Sequence, residues 1–254
     1  MTSLFFTVSL DTAARAASAE VSSPILVELF TSEGCSSCPP ADAMLQQLDR
    51  AQPVAGVHLI VLSEHVDYWN SLGWKDPYSS AFFSARQTAY ARHFELQGPY
   101  TPEMVVDGSA ECVGSDSGLT NRAIEKVREK EKIPVRISSI SWDASGELHA
   151  HVEAGPMPEA SSVRKAGLYL AAALDHAESQ VARGENGGRR LAHVAVVLSL
   201  TQIGSIEKGK NFSQDVRLKP EARGGDLTNL RLIAFVQEAG PGRVLGAALQ
   251  HASK

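Results

Sequence analysis

The first apolar run of strand length is Ile25-Leu26-Val27-Glu28-Leu29-Phe30, rich in branched side chains and broken by a single acid. It predicts a buried strand. Thr31-Ser32-Glu33-Gly34 reads as a turn, and a helix is expected from Ser36 or Ser37, both favourable N-cap residues. Pro39 and Pro40 fit only the first turn of that helix, where a missing N–H costs no helical bond. Met44, Leu45 and Leu48 follow at helical spacing, and Val57 to Leu62 is a second strand run. Strand, helix and strand in succession imply a crossover, and so a parallel pair.

Residues 64–99 are aromatic-rich and read as a helical insertion, with a helix from Ser80 to Phe94. Met104-Val105-Val106 and Asp107-Gly108 predict a strand and a hairpin-type turn. Gly118 to Lys132 is expected as a helix whose Glu, Lys and Arg face solvent, ended by Pro134. Beyond Pro134 the period falls to two. Val135–Trp142, Leu148–Glu153, Gly167–Asp175, His193–Leu200, Asn229–Gln237 and Arg243–Gln250 are six predicted strands with almost no helix between them. The gaps around Gly184-Glu185-Asn186-Gly187-Gly188 and Ser205–Gly225 read as mobile loops.

Charge and composition narrow the partners. The chain has 254 residues, 43% hydrophobic and 21% charged, with a formal net charge of -5. That sign repels nucleic acid and anionic membranes. No apolar run reaches the roughly 20 residues that span a bilayer. At the start, Leu4 to Leu10 is apolar and Ala17-Ser18-Ala19 has the small-x-small form of a signal-peptidase site, so residues 1–20 read as a leader and the protein as secreted or periplasmic. No Lys or Arg precedes the apolar stretch, which makes the leader atypical.

Three cysteines are too few for a disulfide scaffold. Cys112 stands alone and reads as a small core residue, whereas Cys35-Ser36-Ser37-Cys38 follows a strand and opens a helix. Unpaired N–H groups and the dipole at a helix start stabilise a thiolate, lowering a pKa that is about 8.5 in a free cysteine. Cys35 is therefore expected as the exposed attacking sulfur and Cys38 as the resolving one. Glu33 and Asp42 oppose this, because nearby negative charge raises a thiol pKa, and no Lys or Arg is close in sequence.

Thr101-Pro102 sits directly before the Met104 strand, which resembles the cis-proline of thioredoxin-like folds; Thr101 and Pro102 are then expected beside the dithiol as substrate contacts. His65 and Trp69 follow the second strand and emerge at the same end of the parallel pair as the cysteine loop, the end where open sheets bind ligands. They complete the expected groove. His149 and His151 alternate on one strand and read as solvent-facing rather than as metal ligands. No phosphate loop or zinc-protease motif is present in the sequence, and the motifs call for no cofactor.

The block Val27-Glu28-Leu29-Phe30-Thr31-Ser32-Glu33-Gly34-Cys35-Ser36-Ser37-Cys38-Pro39-Pro40-Ala41-Asp42 resembles the opening motif of a bacterial secreted-protein family, domain of unknown function 1223. The resemblance continues through His65-Val66-Asp67-Tyr68-Trp69, Leu72-Gly73-Trp74-Lys75-Asp76-Pro77, Tyr100 to Gly108 and Gly184 to Arg189. Leu198 departs from it, standing where the family often shows Arg. It implies a thioredoxin-like domain, export and a redox-type dithiol, and it fixes no substrate. The expected architecture is an α/β thioredoxin-like domain at 24–133, carrying the insertion at 64–99, followed by a mainly antiparallel β-sandwich-like domain at 134–254. The expected function is a thiol–disulfide oxidoreductase whose partners are protein or small-molecule thiols and disulfides. Two other readings fit the same residues: a Cu(I)- or Zn-handling dithiol with His65 as third ligand, or a structural disulfide clip in an interaction module.

Overall fold

The computed structural model describes residues 22–159, 161–221 and 227–253. The leader read at residues 1–20 lies outside them. The two apolar runs form β1 (Ser23–Thr31) and β2 (Val57–His65), which pair in parallel from Ser23 opposite Val57 to Thr31 opposite His65. Between them runs α1 (Pro39–Ala51), which buries Ala41, Leu45 and Leu48. Its N-cap is Cys38 and not Ser36 or Ser37, because Pro39 and Pro40 take the first two helical positions and set the start.

A single 3-10 turn (Asn70–Leu72) and α2 (Ala81–His93) occupy the aromatic-rich stretch. β3 (Glu103–Val106) pairs antiparallel with β1, and β4 (Ala110–Val113) pairs antiparallel with β3. α3 (Ser117–Val127) stops short of the expected Lys132. β5 (Val135–Trp142), β6 (Leu148–Ala154) and β9 (Phe212–Leu218) make a three-stranded antiparallel sheet in the order β5-β6-β9. The remaining strands are β7 (Lys165–Gln180), β8 (Arg190–Glu207), β10 (Asn229–Glu238) and β11 (Val244–Ser253).

These four do not build a domain apart from β1 to β4. They continue the same sheet, whose eight strands run β11-β10-β7-β8-β2-β1-β3-β4. The expected α/β thioredoxin-like domain followed by a separate β-sandwich is therefore incorrect. The fold is one large mixed sheet with a smaller sheet beside it and few helices. The physical reason is that β8 pairs in parallel with β2, Ser63 opposite Val196, and buries Val194, Ala195 and Val197 among apolar residues of β1 and β2, so these strands extend the first sheet and form no separate one. Register shifts in the β7–β8 pair, between Leu168 and Tyr169 and again between Ala172 and Ala173, let these long strands bend.

Packing agrees. Val194 and Ala195 of β8 share a buried cluster with Val27, Leu45 and Val61, while Leu26 and Ile60 share another with Val197, Ile233 and Phe235. The small sheet lies against the large one through Leu148, Val152 and Val216, which meet Leu168, Leu170 and Leu232. Each such side chain contributes about 1.5–3 kcal/mol on burial, so apolar contact holds the two halves of the chain together. The stretch read as a mobile loop from Ser205 carries the end of β8 and all of β9.

Candidate dithiol site

β1 ends at Thr31, and the chain turns through Ser32 to Cys38 into α1. Cys35 N–H donates to the Ser32 carbonyl at 3.1 Å and Cys38 N–H to the Cys35 carbonyl at 3.2 Å, so the turn holds both sulfurs at the helix start. Cys35 and Cys38 form a disulfide, with their Cα atoms 5.4 Å apart. Cys112 is free and buried beside Thr120, and burial pushes its thiol pKa up.

The expected exposure of Cys35 is not seen: in the disulfide form both sulfur-bearing residues are fully buried. Trp69 and Thr101 cover it. The Trp69 indole N–H donates to Thr101 Oγ1 at 2.8 Å, and Thr101 Oγ1 lies 3.3 Å from Cys35 Sγ. Gly34 leaves room for this lid, since a Cβ there would meet Trp69 Cβ at 3.1 Å. The Thr101–Pro102 peptide is cis, the conformation read from the sequence. Thr101 is thus brought to Cys35, with Trp69 bonded to it and Pro102 next along the chain.

His65 takes a different place. It is fully buried behind the turn, with Nδ1 2.7 Å from Asp76 Oδ2, so it lines no open groove. The same Asp76 oxygen accepts the Glu33 N–H at 2.9 Å, and the Trp74 indole donates to Glu33 Oε2 at 2.7 Å. Burial would raise the Asp76 carboxyl, but His65 and the N–H groups of Glu33 and Tyr78 hold it below its usual range. Burial also pushes the Tyr68 phenol up to about 12, leaving it a neutral donor to Gln87.

Sequence reasoning missed what the β7–β8 hairpin adds. Its tip, read as a mobile loop, is fastened to the cysteine turn. Asn186 is fully buried, and its side-chain amide donates to the carbonyls of Glu33 and Cys35, both at 2.9 Å. Ser36 N–H donates to Glu185 Oε2 at 3.0 Å. From β8 itself, His193 Nε2 comes within 3.4 Å of Glu33 Oε1, and Nδ1 within 3.7 Å of Asp42 Oδ1. The signal was available in the compact Gly184-Glu185-Asn186-Gly187-Gly188 run, but nothing local says what such a tip will touch.

Among the described residues, the group of three His, Cys, Asp or Glu side chains with ligand atoms within 4.8 Å of one another is Asp143, Glu147 and His149 on the β5–β6 hairpin. Asp143 there already accepts from Ser145 and from the Glu147 N–H, as a turn carboxylate does. His151 bonds Asp215 across the small sheet. Among the described residues no helix is long and apolar enough to cross a membrane.

Fold and site together describe a mixed-sheet protein with a covered CxxC disulfide at a helix start. The chain belongs to the family of proteins of unknown function DUF1223, which matches residues 26–237. It is similar to a crystal structure of a protein from Agrobacterium tumefaciens, at 25% identity and a TM-score of 0.66, over 89% of this chain and 92% of that one. It also shares a fold with HBP35 of Porphyromonas gingivalis, at 13% identity and a TM-score of 0.61, over 90% of this chain and 75% of that one. A comparison with curated proteins returns no match.

Proposed function

We propose that the protein is a thiol–disulfide oxidoreductase working through Cys35 and Cys38. The observation that carries this is the placement of Cys35 Sγ under Thr101 Oγ1, at the N-terminal end of a helix. A clip that only cross-links needs no hydroxyl aimed at one sulfur. This hydroxyl donates a hydrogen bond to a Cys35 thiolate as it forms, and the helix start adds to it. An incoming thiolate attacks Cys35; the Cys35–Cys38 bond breaks, a mixed disulfide forms, and the leaving electron pair rests on Cys38. Attack by Cys38 on the mixed disulfide reverses the step; attack by a second partner thiolate on the partner sulfur instead forms the partner disulfide and releases Cys35 as the thiolate, leaving the protein as the dithiol.

Partners are protein or small-molecule thiols and disulfides. Because Trp69 and Thr101 cover the sulfur, a partner must displace them, and the exposed side chains of Tyr68 and Leu72 offer it an apolar surface nearby. A persisting disulfide suits an oxidising compartment, so the proposed location is the cell envelope or outside it. The experiment is to incubate Cys38→Ser protein with envelope extract and with oxidised glutathione, then look for mixed disulfides at Cys35. Trapping at Cys35, lost in Cys35→Ser, is the expected result. A wild-type pair that resists reduction below about -300 mV is structural and refutes the reading.

A further inference from the structure

Glu33 and Asp42 flank the cysteine turn, one before Cys35 and the other one helical turn beyond Cys38. Both are buried, and two carboxylates so placed oppose a thiolate between them. The structure supplies the missing cation from far along the chain. His193, at 3% exposure, lies between them, 3.4 Å from Glu33 Oε1 and 3.7 Å from Asp42 Oδ1. These are ion-pair rather than hydrogen-bond distances, and among the described residues both ring nitrogens are otherwise without a partner. His193 is held there by its neighbours: the Ala192 carbonyl accepts from Gln46 of α1 at 2.7 Å, and Val194 and Ala195 pack beside Ala41 and Leu45.

We infer that His193 is the counter-cation of the dithiol: seated between Glu33 and Asp42, it supplies the positive charge that stabilises the thiolate formed when the Cys35–Cys38 bond opens. The inference rests on the exchange reading of that pair. In the exchange step a thiolate outside the protein is consumed and one appears on Cys38, so negative charge moves to the buried side of the turn. Asp42 is one helical turn from Cys38 and on the same face. A fixed cation beside Asp42 offsets that transfer. The groups facing the imidazole are Glu33 from the turn, Asp42 from α1, His65 from β2, whose ring centroid is 4.8 Å away, and Tyr78 at 6.4 Å; Asp76 lies behind His65. Burial alone would lower the His193 pKa; the two carboxylates outweigh it and hold it up to about 10, so the ring is charged at neutral pH. His193 is a positioning residue, acting on the sulfurs through charge.

Two measurements test this. The first follows the isotope-labelled His193 imidazole by NMR against pH in oxidised protein and in protein reduced with a phosphine. An imidazolium at pH 8 whose midpoint rises on reduction is expected; a neutral ring at pH 7, or a midpoint indifferent to reduction, overturns the inference. The second compares His193→Gln with wild type in equilibrium with the glutathione couple. A tenfold shift toward the disulfide, about 30 mV, together with an upward move of the thiol titration, is expected. An unchanged constant and profile overturn it. Should His193→Gln not fold, Asp42→Asn is expected to move the equilibrium the other way, toward the dithiol. If the wild-type pair exchanges with no thiol at all, the oxidoreductase reading fails, while the imidazole titration on phosphine-reduced protein still decides the role of His193.

Discussion

Ser63 on β2 and Val196 on β8 are register partners in a parallel pairing, and through them the two halves of the chain share one sheet. Near this junction His65, two residues after Ser63, and His193, three before Val196, are in ring contact, their centroids 4.8 Å apart behind the cysteine turn. Between His193 and Val196, Ala195 adopts a positive φ of 50°, bending the strand away from regular geometry just where it meets α1 and β2. The dithiol therefore sits on a β1–α1 unit but is completed by a hairpin from residues 165–207.

The hairpin tip is expected to control how readily the disulfide is reached. Asn186→Ala removes two buried hydrogen bonds, to the carbonyls of Glu33 and Cys35, and leaves the Cys35 carbonyl with only the Cys38 N–H. A loss of about 2–3 kcal/mol of stability is expected, read from urea denaturation of the oxidised protein. Reduction by dithiothreitol should become several-fold faster, since the turn is no longer clamped. Equal reduction rates in mutant and wild type would show that the tip is packing alone.

Thr101→Val keeps the volume and deletes the hydroxyl between Trp69 and Cys35. The reduced protein should then show a higher Cys35 thiol pKa and slower alkylation by iodoacetamide at pH 7, by several-fold, because a donor to the thiolate is gone. Tryptophan fluorescence reports separately on the freed Trp69 indole. A Cys35 reactivity identical to wild type would place Thr101 outside the chemistry.

The local patterns carried much of this. β5 has the expected bounds, the β1–α1–β2 parallel unit was legible from its apolar runs, and so was the cysteine pair at the helix start. β4 was not, being only Ala110 to Val113, and in β9 only Val216 is buried, so neither gives a clear period of two. The shared sheet was illegible for another reason: β2 and β8 both read as strands, and an apolar run does not say which neighbour it pairs with. Asn186 and His193 were hidden by the same gap, as polar residues whose partners lie about 150 positions away in sequence.

Arg86 of α2 supports the sheet from its other side. Its guanidinium bonds Glu28 at 2.7 Å, approaches Glu64 at 3.6 Å and lies over Tyr90, 5.1 Å from the ring centroid. Burial and the neighbouring Glu28 push the Glu64 carboxyl well up, against the pull of Arg86. Arg86→Leu strips the cation from two buried acids and is expected to cost about 3–5 kcal/mol. Adding Glu28→Gln should return part of that loss. Denaturation midpoints of the single and double variants measure both; an additive double variant would mean that the two side chains do not interact.

Glu103, the residue after Pro102, gives the protein a stability that depends on pH near neutrality. It is fully buried, Gln87 donates to Oε2 at 2.8 Å, and among the described residues Oε1 has no hydrogen-bond partner. Burial raises its carboxyl from the usual 4.5 to about 7, with Glu111 and Glu28 adding to the rise and Gln87 opposing it. The fold thus favours the protonated acid. Its contribution is fully present below about pH 4.5, falls as pH rises toward 7, and is gone above. Glu103→Gln fixes the neutral state, so it should remove this slope and raise stability at pH 8 by up to about 3 kcal/mol. Urea denaturation from pH 4 to 8 checks it. Parallel curves for the two proteins over that range would mean that Glu103 is ionised in the folded state throughout, and that its buried carboxylate is compensated by groups other than Gln87.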